Sequence, residues 1–378
     1  MSRKAIISTL VVLFVLVLGG IIVWRTLGPR ETSEIRIGAI LPLTGSAAQW
    51  GTPPRDAALL AVEEINSKGG IKGRKIKLEI EDDKCEPTAG VSAIQKILAT
   101  GKPVAILGAV CSSVTLAIAP IAESNKVVLI SPASTSPLIT NAGDYIFRVI
   151  PSDALRGKVF AEYVYSLGHR KVSLLYINNE GGLGNQKVFS ETFQKLGGNI
   201  VSVDAYPQDT RDVRAQLTKI KQQKPDALVV VSYPDDTPIV MRQAQELKIG
   251  VPLFFQTEAL DDPAVIQKAG NAAEGATYIL PAKAEGSAVD AFSIKYKQKY
   301  GRDPELFAAE GYDVVVLVAK ILDNAPEVST DLLKEGLYKT QNYEGASGKI
   351  SFDKNGDVLK PMALKKVVNG IPQVLLVK

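Results

Sequence analysis

Five segments of the chain bring together groups that can hold a small polar solute. Gly108-Ala109-Val110-Cys111-Ser112-Ser113 follows an apolar run and opens a predicted helix. Its free backbone N–H groups and the helix dipole suit an anion, and Ser112 can cap the helix or bind a carboxylate. Ser131-Pro132-Ala133-Ser134-Thr135-Ser136-Pro137 is held extended by its prolines, which leaves carbonyls and hydroxyls without sheet partners. There the Ala133 carbonyl can accept from an ammonium, with the Ser134 and Thr135 hydroxyls beside it. Glu258, in Thr257-Glu258-Ala259-Leu260, places a carboxylate at a strand end where it can pair with the same ammonium. Trp50 and Tyr233, in two further loops, can wall an apolar pocket. Taken singly, each has a plain reading: an N-cap, a turn, a solvated glutamate, local packing. Together they are the set a free α-amino acid needs, with a place for each charged group and a pocket for the side chain.

Composition removes most other chemistries. The 378 residues are 46% hydrophobic and 22% charged, the mix of a folded protein with a buried core. The single histidine, His169, sits between Gly168 and Arg170 in a predicted turn, so no Ser-His-Asp set and no His-based metal centre can be built. Gly181-Gly182-Leu183-Gly184 lacks the spacing of a dinucleotide fingerprint. Asp353-Lys354-Asn355-Gly356-Asp357 resembles part of a calcium loop but has no downstream bidentate glutamate, so a hairpin turn is expected there. The reading is therefore a binding protein, with no enzyme activity, no metal and no cofactor. The formal net charge is +4, but residues 1–33 hold four basic side chains and one acid. The remaining 40 basic and 39 acidic groups offer no basic face for nucleic acid.

These loops need a scaffold that brings them to one place. From residue 35 onward short apolar strands alternate with helices. Strands are expected at Ile35–Leu41, Ile76–Asp82, Val104–Leu107 and Val127–Ile130, with helices at Pro53–Asn66, Thr88–Thr100 and Ser113–Ser124. A second series has strands at Lys171–Tyr176, Val201–Ala205, Ala227–Val231 and Leu253–Gln256, and helices at Ala154–Leu167, Gln186–Leu196, Arg211–Gln223 and Pro238–Leu247. This alternation implies right-handed βαβ units and parallel sheets, and two series imply two α/β lobes. Ser287 to Tyr338 reads as mostly helical, and the tail reads as hairpins turning at Lys354-Asn355-Gly356 and Asn369-Gly370. Ligands of open α/β sheets collect beyond the carboxyl ends of the strands, where all five segments lie.

The N-terminus concerns location. Ala5 to Trp24 is uncharged and almost wholly apolar, with Arg3 and Lys4 before it and Arg25 and Arg30 after it. It has the layout of an export signal, the length of a membrane span and no clear cleavage site. An uncleaved anchor in the cytoplasmic membrane is expected, with a cleaved signal as the alternative. Residues 25–34 are a polar linker. In an exported protein the even cysteine count points to one disulfide, Cys85 to Cys111, closing a loop that stabilises by roughly 3–4 kcal/mol; two unpaired thiols are the alternative.

Several of these segments, in this order, resemble the branched-chain amino-acid-binding family of periplasmic solute-binding proteins (type I), the receptor components of ABC importers. They are Ile37-Gly38-Ala39-Ile40-Leu41-Pro42-Leu43-Thr44-Gly45, Ile65 to Gly73, Asp82-Asp83-Lys84-Cys85-Glu86-Pro87, Gly108 to Ser113 and Ser131 to Pro137. The resemblance covers nearly all of residues 35–378. It implies two lobes joined by three crossovers and closing on the ligand like a flytrap. Residues 34–153 plus 283–360 would form one lobe and 154–282 plus 361–378 the other, after an N-terminal segment of residues 1–33. It implies a monomer outside the cytoplasmic membrane that passes a free amino acid to an ABC permease. Carried over by position, the ligand carboxylate falls on Ser112 and the Thr135 backbone. The ammonium falls on the Ala133 carbonyl, the Thr135 hydroxyl and Glu258, with Trp50 and Tyr233 lining the cleft. Cys85 and Cys111 fall at the family's disulfide. Two features depart from the pattern: the anchor, and Gly181 where the family often carries a tyrosine, which opens space for a larger side chain. A sensor of the same fold, for an amide, urea or an aromatic acid, is the competing role.

Overall fold

The computed structural model describes residues 34–378. The expected anchor at residues 5–24 lies outside the described residues. Among the described residues no helix is long and apolar enough to cross a membrane.

Chain order runs β1 (Ile35–Leu41), α1 (Ala48–Ser67), β2 (Ile76–Asp82), α2 (Pro87–Ala99), β3 (Ala105–Gly108), α3 (Ser112–Ser124), β4 (Val128–Ser131) and β5 (Ile146–Arg148). These five strands form one parallel sheet in the order β2-β1-β3-β4-β5. All of β3 and β4 is buried, and so is β1 save Arg36, because helices cover both faces of a sheet whose strands read as continuous apolar runs.

The chain then crosses to a second sheet. It continues through α4 (Asp153–Ser166), β6 (Lys171–Ile177), α5 (Glu180–Lys195), β7 (Asn199–Tyr206), α6 (Arg214–Gln222), β8 (Ala227–Val231), α7 (Thr237–Glu246), β9 (Leu253–Gln256), α8 (Pro263–Ala269) and β10 (Thr277–Pro281). A return to the first lobe adds α9 (Ser287–Tyr300), α10 (Ala308–Asn324), α11 (Thr330–Tyr338) and a small hairpin, β11 (Tyr343–Gly345) with β12 (Gly348–Ile350). A last crossing delivers β13 (Met362–Val368) and β14 (Ile371–Val377) to the second sheet, whose order is β14-β13-β10-β9-β8-β6-β7. Its β13 and β14 are antiparallel, joined at Asn369-Gly370, where both residues adopt the positive φ that such a turn requires.

In both sheets the strand order reverses at one point. In the first it lies between β1 and β3, whose following loops carry Trp50's segment and the Gly108–Ser113 turn. In the second it lies between β6 and β8, followed by the segments that hold Gly181 and Tyr233. Loops diverge at such a point and leave a crevice. The fold therefore sets two crevices face to face.

Two helices begin earlier than the sequence indicates. α1 starts at Ala48 rather than Pro53, so Pro53 and Pro54 sit inside it. A proline lacks the donor needed after the first turn. Here the prolines share in the packing: Gly311 of α10 is so close to Pro54 that an added Cβ would lie 2.6 Å from its Cα. α5 starts at Glu180 rather than Gln186, because the Asn179 side chain caps it by accepting from the Gly182 N–H at 2.9 Å. Gly182 cannot be replaced freely, since a Cβ there would meet the Ile177 carbonyl oxygen at 1.9 Å.

Candidate functional site

Hydrogen bonds and a disulfide fasten the rim of the first lobe. Asp82 ends β2 and accepts from the Leu43 and Lys84 N–H groups at 2.8 and 3.0 Å and from the Thr44 hydroxyl at 2.5 Å. Burial opposes its charge, but these hydrogen bonds prevail and hold its carboxyl below the usual range. Cys85 and Cys111 form a disulfide with Cα atoms 5.5 Å apart, tying the loop after β2 to the turn after β3. Neighbouring Asp83 accepts from the Cys85 N–H at 2.7 Å, and burial pushes its carboxyl up to about 7.

The Gly108–Ser113 turn and the Ser131–Pro137 loop lock together. Ser131 donates to the Ala109 carbonyl at 2.6 Å and accepts from the Ser134 N–H at 2.8 Å. The fully buried Ser134 hydroxyl is taken up by the carbonyls of Ala109 and Val110 and by Thr115. It therefore shapes the loop. Cys111, not Ser112, is the N-cap of α3, and no side chain caps it. Ser112 is the first helical residue, and its hydroxyl accepts from the Ser136 N–H at 3.2 Å, which draws the two loops into one wall. Ala133, Thr135 and Ser112 are all buried.

From the facing lobe come Gly181, Tyr233 and Glu258. A Cβ added at Gly181 would stand 3.3 Å from the Tyr233 hydroxyl and 3.8 Å from Ser112 Oγ. The lobes therefore meet across the cleft at that glycine. Trp50 and Tyr233 approach edge to face at 4.8 Å, and Phe307 meets the other side of Trp50 at 6.0 Å. Burial, helped by nearby carboxylates, drives the Tyr233 phenol far above its ordinary range, so it stays protonated and available as a donor.

The structure also assembles a charged cluster that the sequence left unmarked. Arg156, on the first turn of α4, is ion-paired to Glu258, and both are buried. Arg156 Nε lies 3.4 Å from Asp153 Oδ1. Thr135 donates to Asp153 Oδ2 at 2.7 Å, and Asn185 donates to the same oxygen at 2.6 Å. Burial pushes the Asp153 carboxyl up to about 6 despite Arg156 and Thr135, and Glu258 adds to the rise. Asp153, Arg156 and Asn185 carry no cue that separates them from surface charges on a helix; only the DxxR spacing, which puts both ions on one helical face, could have drawn notice. The cluster ties Thr135 of one lobe to the helix that opens the other.

A cavity of about 680 Å³ opens between α10, α11 and β11 and shares none of its lining residues with this cluster. Among the described residues no group of His, Cys, Asp or Glu is arranged to hold a metal ion. The cleft instead offers a helix start, hydroxyls, free carbonyls, aromatic walls and paired ions, which are means of binding.

Comparison with known proteins agrees. The chain is 28% identical over 331 residues, 86% of its length and 87% of the relative's, to the leucine-, isoleucine-, valine-, threonine- and alanine-binding protein of Pseudomonas aeruginosa. It superposes with a TM-score of 0.80 and 31% identity on a branched-chain amino acid transporter substrate-binding protein of Streptococcus pneumoniae in complex with isoleucine, covering 92% of this chain and 99% of that one. A solute-binding protein of an R. palustris ABC transporter, solved with benzoate, shares the fold alone, with a TM-score of 0.82 and 20% identity over 91% of this chain and 96% of that one. Residues 34–370 match the family profile described as periplasmic binding protein. With its two sheet-centred α/β lobes and a family profile matched over residues 34–370, the chain belongs to the periplasmic binding protein family.

Proposed function

We propose that this protein captures a free apolar or aromatic α-amino acid outside the cytoplasmic membrane and hands it to an ABC permease. The observation that supports this reading is the run of side-chain contacts from Thr135 through Asp153 and Arg156 to Glu258, which joins the loop beside the Ser112 helix start to an acid of the other lobe. The ligand carboxylate is bound by Ser112 and the Thr135 backbone, and its ammonium by the Ala133 carbonyl, the Thr135 hydroxyl and Glu258. Trp50 and Tyr233 flank its side chain, and Gly181 leaves room for a large one. The amino-acid-binding relatives at 28% and 31% identity support the ligand class. Closure is favoured only when the ligand supplies contacts to both lobes at once. The lobes are residues 34–153 plus 283–360 and residues 154–282 plus 361–378, and the protein acts as a monomer. Residues 5–24 anchor it to the membrane.

Native mass spectrometry of the purified protein tests the reading directly. A retained amino acid is the expected result; a retained solute with no amino group overturns it. Deletion separates transport from sensing: loss of uptake supports transport, and unchanged uptake with an altered gene response supports a sensor.

A further inference from the structure

We propose, taking the amino-acid reading as given, that Arg156 determines specificity: its buried guanidinium spans Glu258 and Asp153 and leaves the ammonium subsite one positive charge short of neutral. The cleft then selects a solute with a single α-ammonium over the same acid without one.

The charges around Thr135 can be counted. Glu258 and Asp153 each bring a negative charge and Arg156 one positive charge, so the cluster carries −1. Arg148 also approaches, but it is matched by Asp357, to which it donates from Nε at 2.6 Å and from Nη2 at 2.9 Å. A buried surplus charge is costly, and one cation relieves it.

The hydrogen bonds show the same deficit. Thr135 spends its hydroxyl proton on Asp153, so it faces any ligand as an acceptor. Asn185 spends its amide protons on Asp153 and the Gly181 carbonyl, which leaves its oxygen unpartnered. Asp153 Oδ1 also has no hydrogen bond. Asp153 and Asn185 are nearly fully buried, so water does not readily answer them. Three acceptors surround a net negative charge, and an ammonium has three protons to give. Without Arg156 two carboxylates would crowd the subsite, and it would accept two cations as readily as one.

The test is calorimetry on the full chain with L-leucine and L-phenylalanine, each against its counterpart without the amino group, 4-methylpentanoate and 3-phenylpropanoate. The wild-type protein is expected to prefer an amino acid over its partner by about a hundredfold. Glu258→Gln makes the cluster neutral and is expected to erase that preference. Adding Arg156→Gln to it restores −1 once both variants are compared at about pH 8.5, where Asp153 stays ionised without its arginine, and amino-acid affinity is expected to recover at least about tenfold. Arg156→Lys keeps the charge and the preference; it decides the matter if the double variant fails to fold by circular dichroism. A folded double variant that binds no better than Glu258→Gln overturns the role of Arg156, as does Arg156→Lys behaving like Glu258→Gln. Wild-type protein that takes the des-amino acids in preference overturns the amino-acid reading itself.

Discussion

Arg148 and Asp357 form a bidentate ion pair that joins the last strand of the first sheet to the segment leading into the third crossover. The arginine is wholly buried, and its remaining N–H groups reach the Ser136 carbonyl at 2.9 Å and Thr140 at 2.7 Å. One side chain therefore fixes both the segment that leads into β13 and the loop that carries Ala133 and Thr135.

Asp357→Ala strands that guanidinium. Removing one partner of a buried pair costs about 3–5 kcal/mol, so the midpoint of urea unfolding should fall steeply. A loss below about 1 kcal/mol would mean that the pair is solvated in the native protein.

Reduction, or replacement of both Cys85 and Cys111 by serine, should destabilise the protein by about 3–4 kcal/mol, the entropy of the closed loop. Denaturation with and without reductant measures it. An unchanged midpoint would show that the unfolded chain is already restricted there.

Stability should rise as pH falls from 8 towards 6. Asp83 and Asp236 are pushed up to about 7, and Asp153 and Asp313 to about 6, in each case chiefly by burial. These groups hold protons in the fold that the unfolded chain has released, so the folded state loses ground as pH climbs through 6 to 7. Thermal unfolding at several pH values checks the sign. Ligand affinity should move the other way, weakening below about pH 6 as Asp153 becomes neutral.

Gly181→Tyr should narrow the cleft, and Gly181→Ala should change little if the Tyr233 hydroxyl, 3.3 Å from the added Cβ, gives way by a few tenths of an ångström. The tyrosine variant is expected to lose at least about tenfold in affinity for L-phenylalanine relative to L-valine. An unchanged ratio would place Gly181 away from the ligand side chain.

Strand-end loops were legible because punctuation and alternation survive in sequence. The Gly108–Ser113 turn, the Ser131–Pro137 loop and the Asn369-Gly370 hairpin all stand where the pattern indicates. Short or interrupted elements were not. β5 has three residues, too few to show a period, and the two prolines hid the first turn of α1. The stretch holding α8 and β10 offered no distinct signal. Arg156 and Arg148 were missed for another reason. A charged side chain reads as solvated until the fold buries it, and only contacts distant in sequence, 102 residues for Arg156–Glu258 and 209 for Arg148–Asp357, reveal that burial.

The edge-to-face meeting of Trp50 with Tyr233 gives the protein an optical signal of its own. The indole is sheltered because the halves are together, and parting them would wet it and shift its emission to longer wavelength. With Trp24 replaced by phenylalanine, Trp50 is the sole tryptophan, and opening can be followed in a fluorimeter without any attached label.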